Sequence, residues 1–100
     1  MSDDDRLLKA RSDGSRAADL LNDELLKGAF EYVKKAYADK LLSTSVDRHA
    51  DREMLYLAYR AISSVEDHLR AVLDNGKLAD AELNRLLNAA EAKKKWQDIR

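Results

Sequence analysis

Asn75, Gly76 and Glu82 lie in the stretch Leu73–Leu83, LDNGKLADAEL, with the spacing of the second half of a calcium-binding loop. Such a loop places oxygen ligands at positions one, three and five, glycine at six and a bidentate glutamate at twelve. Setting Gly76 at six puts Asn75 at five and Glu82 at twelve, but it also puts Ala71 at one and Leu73 at three. Hydrocarbon at two ligand positions removes calcium from the expectation. The stretch reads instead as a joint between helices. Asn75-Gly76 would close one helix in a left-handed turn, Leu78 would pack the turn onto the core, and Asp80 would cap the next helix.

His49 and Glu53 are four apart, as paired metal ligands on one helix face often are, with Asp47 and Asp51 nearby. A metal site needs three or four converging ligands, and Arg48 and Arg52 in the same stretch favour a salt-bridged helix start. His68, beside Glu66 and Asp67, reads as a solvated or boundary position. Ser63 and Ser64 lie mid-helix without a histidine base placed by the sequence. Phosphate-binding glycine loops, nucleophile elbows and HExxH are absent. No catalytic, cofactor-binding or metal site is expected, and the chain is not expected to be an enzyme.

The aromatic and basic residues offer binding chemistry. Tyr32, Tyr56 and Tyr59 stand beside the apolar seams described below, and Met54, Tyr56, Leu57 and Ala61 suggest a second apolar strip that another subunit could cover. Lys93, Lys94 and Lys95 precede Trp96, a pairing that phosphate-binding and membrane-surface segments use, and one equally suited to a helix C-terminus. Lys27, Lys34, Lys35 and Lys40 are interleaved with Glu31 and Asp39. With 18 basic against 19 acidic residues, nucleic acid ranks below protein as a partner.

The elements that must position these residues are helices. The 100 residues include no proline, 3 glycines and 37% charged residues, a composition with little to interrupt a helix. The absence of cysteine excludes disulfides and thiolate chemistry and fits a reducing compartment. No apolar run approaches the roughly 20 residues needed to cross a bilayer, and the acidic start MSDDDR suits neither a signal nor a transit peptide. A cytosolic, soluble chain is the expectation. Leu26, Phe30, Val33, Tyr37 and Leu41 share one helical face, with Ser15 or Asn22 as the cap and a stop near STSVD. Leu55, Ala58, Ile62, Val65, Leu69 and Val72 form a second seam, capped by Ser45 or Asp47. Leu83, Leu86, Leu87 and Ala90 mark a third segment. The expected fold is all-α: an antiparallel helical hairpin with a third C-terminal helix, forming a small bundle. Its divisions are a short N-terminal segment 1–14 ending at Asp13-Gly14-Ser15, the helical body 15–92, and a basic tail 93–100.

From AADLLNDELLKGAFEYVKKAYADKLL through DREMLYLAYRAISSVEDHLRAVLDNGKLADAEL, Ala17 to Leu83, the chain resembles small α-helical proteins of bacteriophages and prophages encoded among virion-assembly genes. The shared features are an LLND-x-L-x-x-AF opening, a hairpin and a closing NGKLA. The resemblance implies no reaction and no catalytic residues. It implies a setting, the virion or the cytoplasm of an infected host. The expected function is that of a virion-assembly or structural accessory protein that binds itself or a larger phage structural protein. Inhibition of a host defence protein and nucleic-acid binding during packaging are the alternatives.

Overall fold

Helix α1 spans Asp3–Asn22, α2 spans Glu24–Ser43 and α3 spans His49–Asp98 in the computed structural model, which describes residues 2–98. Among those residues there is no strand, so the all-α expectation holds.

Helix ends follow local hydrogen-bond chemistry. Asp3, Asp4 and Asp5 fill the first turn of α1, where carboxylates oppose the positive end of the helix dipole. The Ser2 hydroxyl oxygen accepts from the Asp5 N–H at 3.2 Å. One residue, Asp23, separates α1 from α2. Its backbone is extended (φ −71°, ψ 120°) and its Oδ1 accepts the Leu26 N–H at 2.8 Å. The sequence places a break near LLND, and the cap is Asp23 rather than Asn22. Helix α2 stops in the hydroxyl-rich stretch as expected: Thr44 Oγ1 donates to the Lys40 carbonyl at 2.6 Å and Ser43 Oγ to the same oxygen at 3.1 Å.

Two expected breaks do not occur. Asp13-Gly14-Ser15 lies inside α1, and Asn75-Gly76 lies inside α3, so Gly76 makes no left-handed turn and Asp80 caps no helix. The separate C-terminal helix is therefore the continuation of α3. Of the tail 93–100, residues 93–98 belong to α3 and residues 99 and 100 lie outside the described residues. A glycine inside a helix costs only about 1 kcal/mol relative to alanine, which packing readily offsets.

The chain divides into two compact units, Met1–Ala17 with Ala71–Arg100 (unit 1) and Ala18–Arg70 (unit 2). In unit 1 the pairs Arg11–Asp80 (3.7 Å) and Gly14–Gly76 show rising numbers on α1 meeting falling numbers on α3, an antiparallel contact. A Cβ added at Gly14 would lie 2.6 Å from the Gly76 Cα, and one added at Gly76 would meet the Gly14 Cα at the same distance and the Ala10 carbonyl oxygen at 3.0 Å. Here backbone packs on backbone. Beside this contact Ala17 and Ala79 are the buried apolar residues, at 2% and 4% exposure.

In unit 2, α2 and α3 are also antiparallel. Lys34 and Glu66 pair at 2.9 Å, and the Arg52 guanidinium donates to the carbonyls of Leu41 (3.3 Å) and Thr44 (3.0 Å). Leu26, Phe30, Val33, Tyr37 and Leu41 are all half-buried, as their spacing predicts. On α3 the seam is rotated slightly from the sequence reading. Leu55, Ala58, Ile62 and Leu69 are half-buried, joined by Tyr59, Ser63 and Glu66, while Val65 is 52% exposed. Among the described residues no large side chain is fully buried.

Candidate interaction surface

Arg52 shows how the α2–α3 connection is held. Its charge sits against the last carbonyls of α2, groups that a helix leaves without intrahelical partners and that carry the negative end of the dipole. Sequence reasoning assigned Arg52 to salt bridging at the start of the next helix and so missed this role. Arg48 does form such a bridge, to Asp51 at 2.5 Å. Asp47 accepts a hydrogen bond from the Ser45 hydroxyl, and that bond holds its carboxyl below the usual range. Neither residue directly precedes α3; Arg48 does, and its carbonyl accepts the Arg52 N–H at 3.1 Å.

The candidate ligand and catalytic residues remain apart. His49, Glu53 and His68 are exposed, and no three His, Cys, Asp or Glu side chains converge as a metal site among the described residues. The segment carrying Asn75 and Glu82 is helical and so lacks the shape of a calcium loop. Glu82 is engaged by Arg85, whose guanidinium donates at 2.6 and 3.0 Å and lowers the carboxyl's pKa. Ser64 donates its hydroxyl to the Arg60 carbonyl at 2.9 Å, a bond within its own helix.

Lys93, Lys94 and Lys95 are exposed in the last turns of α3. Consecutive helical residues are about 100° apart, so the three ammonium groups fan around the helix rather than forming one patch. Trp96, at 75% exposure, follows them.

Apolar exposure is the prominent surface property. Met54, Leu57 and Ala61 of the expected strip are exposed and share one side of α3, spaced three and four apart. Tyr56 is exposed too, but two residues of helix put it about 200° from Met54. It does not share their strip. Val65, four residues beyond Ala61, does. Beside Met54 a groove of about 520 Å³ runs between Tyr37 and Lys40 of α2 and Leu55 and Ala58 of α3. Unit 1 carries its own exposed leucines: Leu78 lines one groove of the α1–α3 contact, and Leu8, Leu86 and Leu87 line another.

The signal for the contacts between the helices was present in the sequence. Leu55, Ile62, Leu69, Gly76 and Leu83 are seven apart, as are Leu7, Gly14 and Leu21. A heptad that runs through a glycine marks that glycine as a contact position rather than a stop. No helix among the described residues is long and apolar enough to cross a membrane. Comparison with known protein families, characterised proteins and solved structures finds no match to the chain.

Proposed function

We propose that the chain is a non-enzymatic assembly or accessory protein that acts by helix-mediated association, with copies of itself or with a larger phage structural protein. One observation carries this reading. Large apolar side chains such as Leu25, Tyr32, Met54, Leu57, Leu78 and Leu87 are each more than half exposed, while no large side chain is fully buried among the described residues. Isolated apolar residues on a surface are ordinary, but strips at helical spacing mark interaction sites. A small helical bundle of the kind the sequence suggests would then be completed by association. The resemblance of Ala17–Leu83 to phage and prophage proteins supports the setting, in the particle or in the infected cell. The dispersed charge of Lys93, Lys94 and Lys95 favours a protein partner over nucleic acid.

The test is photo-crosslinking in cells that produce the protein during phage growth, with the reactive group placed at Leu57 or at Leu87. Discrete adducts, either with itself or with a particle component that co-purifies with assembled or partly assembled particles, are the expected result. Absence of adducts at both positions, with the protein remaining a monomer in the soluble fraction, would overturn the reading.

A further inference from the structure

Unit 2 has two unlike faces, and helical geometry decides which residues share each. On α2 the seam toward α3 runs through Leu26, Phe30, Val33 and Tyr37. Leu25, Ala29, Tyr32 and Ala36 form a second stripe about 120° counterclockwise of it, viewed from the N-terminus. On α3 the stripe Met54, Leu57, Ala61 and Val65 lies counterclockwise of the seam Leu55, Tyr59, Ile62 and Leu69 by a similar angle. Because the two helices are antiparallel, the same sense of rotation carries both stripes to the same side of the pair. The groove formed by Tyr37 and Lys40 with Met54 and Ala58 opens on that side. Rotation in the other sense leads to Lys27, Glu31 and Lys34 on α2 and to Arg52, Arg60 and Asp67 on α3, with Tyr56 among them. The first face carries the apolar stripes, with Lys40, Arg48 and Asp51 confined to the groove at one end, and the second is charged along its length.

We infer that the apolar face of unit 2 is the site at which a second copy of this chain docks, the same face being used by both copies. This rests on the association reading and names its partner. Area supports a self-contact. Leu25, Tyr32, Met54, Leu57 and Val65 are 84%, 76%, 69%, 57% and 52% exposed. At on the order of 100 Å² each they offer about 500 Å² of apolar surface per copy before the alanines are counted, a major part of the roughly 800 Å² per partner in a stable interface. Charge supports the same partner. A symmetric contact sets one patch against its own copy, so it disfavours a face carrying net charge. Both stripes are uncharged from Leu25 to Ala36 and from Met54 to Val65; of the charges beside them, Lys35 pairs with Asp39 at 2.6 Å and Arg48 with Asp51, and Lys40 lines the groove at the stripe's end. Shape is permissive as well. Ala29, Ala36 and Ala61 alternate with the large side chains, and a Cβ built at the neighbouring Gly28 meets nothing within 4 Å, leaving room for side chains of the other copy.

Sedimentation of the purified full chain tests the inference, with circular dichroism to confirm that each variant stays helical. The wild type should sediment as a dimer. Tyr32→Glu and Leu57→Glu should each raise the dissociation constant about tenfold or more, because each puts a charge into a desolvated contact. Tyr56→Glu, on the charged face, should leave it unchanged. Of the single-cysteine variants Ala29→Cys, Ala36→Cys and Ala61→Cys, in a chain without cysteine, the one nearest the two-fold axis should give a disulfide-linked dimer under mild oxidation, an arm that stands even if a glutamate variant unfolds. A wild type that is monomeric at every concentration overturns the inference while leaving docking on a larger protein to the crosslinking test. A dimer broken by Tyr56→Glu and indifferent to Tyr32→Glu, or one that none of the three cysteine variants links, also overturns it by moving the contact to another face.

Discussion

The two units solve one problem, pairing α3 with an antiparallel neighbour, in different ways. In unit 1 the approach is so close that Gly14 and Gly76 leave no room for a methyl group, and the enclosed apolar residues are alanines. In unit 2 the helices are spaced by Phe30, Tyr37, Tyr59 and Ile62, all half-buried, and by the Lys34–Glu66 pair. Close approach gains dispersion contacts between backbones and encloses small residues completely. Wide spacing accommodates large side chains but cannot enclose them with two helices alone. The same length of α3 thus supports a contact intolerant of added volume and another that tolerates change until a third surface closes over it.

The largest effect should come from adding volume where the backbone blocks it. Gly76→Val puts branched carbon where even a Cβ would lie 2.6 Å from the Gly14 Cα. Overpacking costs about 1–3 kcal/mol in side-chain cores and more where backbone must move. Gly76→Val should therefore destabilise by at least about 3 kcal/mol, with hydrogen exchange accelerating at Ala10–Ala17 and Ala71–Leu83 before it does at Phe30 or Ile62. Uniform acceleration would mean that the two units open together and that the contrast between them has no energetic content.

Removing volume should matter in unit 2. Phe30→Ala and Ile62→Ala would each cost about 3–5 or 2–5 kcal/mol in a sealed core. Half-exposure lowers the expectation to about 1–3 kcal/mol for each by denaturant titration. A larger loss at high protein concentration than at low would show that association seals this seam.

How much of this was legible follows from the physics of single residues. Helical class, the α2 seam and the stop at Ser43 could be read because each depends on local spacing or local hydrogen bonding. The ends of α1 and α3 were misread because Gly14 and Gly76 were judged by backbone propensity, a term of about 1 kcal/mol, when a tertiary contact outweighs it. Their heptad placement carried the missing information. All four residues of the expected strip are exposed, and following the direction of each side chain round the helix separates Tyr56 from Met54, Leu57 and Ala61. Placing Leu25 and Tyr32 of α2 on the same side as Met54 and Leu57 requires the relative direction of the two helices. Sequence suggests that direction, and the Lys34–Glu66 and Arg52 contacts establish it.

Gly28 separates propensity from packing. It lies inside α2, its φ is not positive, and an added Cβ would find open space. Gly28→Ala should stabilise by about 0.5–1 kcal/mol through helix propensity alone. Gly76→Ala carries the same propensity gain and a backbone clash, so its sign should be opposite. Equal shifts in melting temperature for the two variants would remove the close contact from the account of unit 1.

The smallest expected effect concerns the ion pair of unit 2. Glu66 Oε1 is enclosed, and the Lys34 ammonium at 2.9 Å is its partner, though not in good hydrogen-bond geometry. That carboxylate holds the Lys34 pKa above its ordinary 10.5. A raised pKa in the folded state means that folding favours the protonated ammonium. The pair's stabilisation is therefore complete below about pH 10.5 and declines as pH rises through the elevated value. Thermal melts from about pH 8 to about pH 12 should show Lys34→Gln less stable than wild type at the lower end, with the gap closing at the upper end. Adding Glu66→Gln to Lys34→Gln should recover part of the loss at neutral pH, since it removes an enclosed charge left without its partner. A gap between wild type and Lys34→Gln that stays constant across the range would assign Lys34 to packing through its methylene chain, and the units would then differ in helix spacing alone.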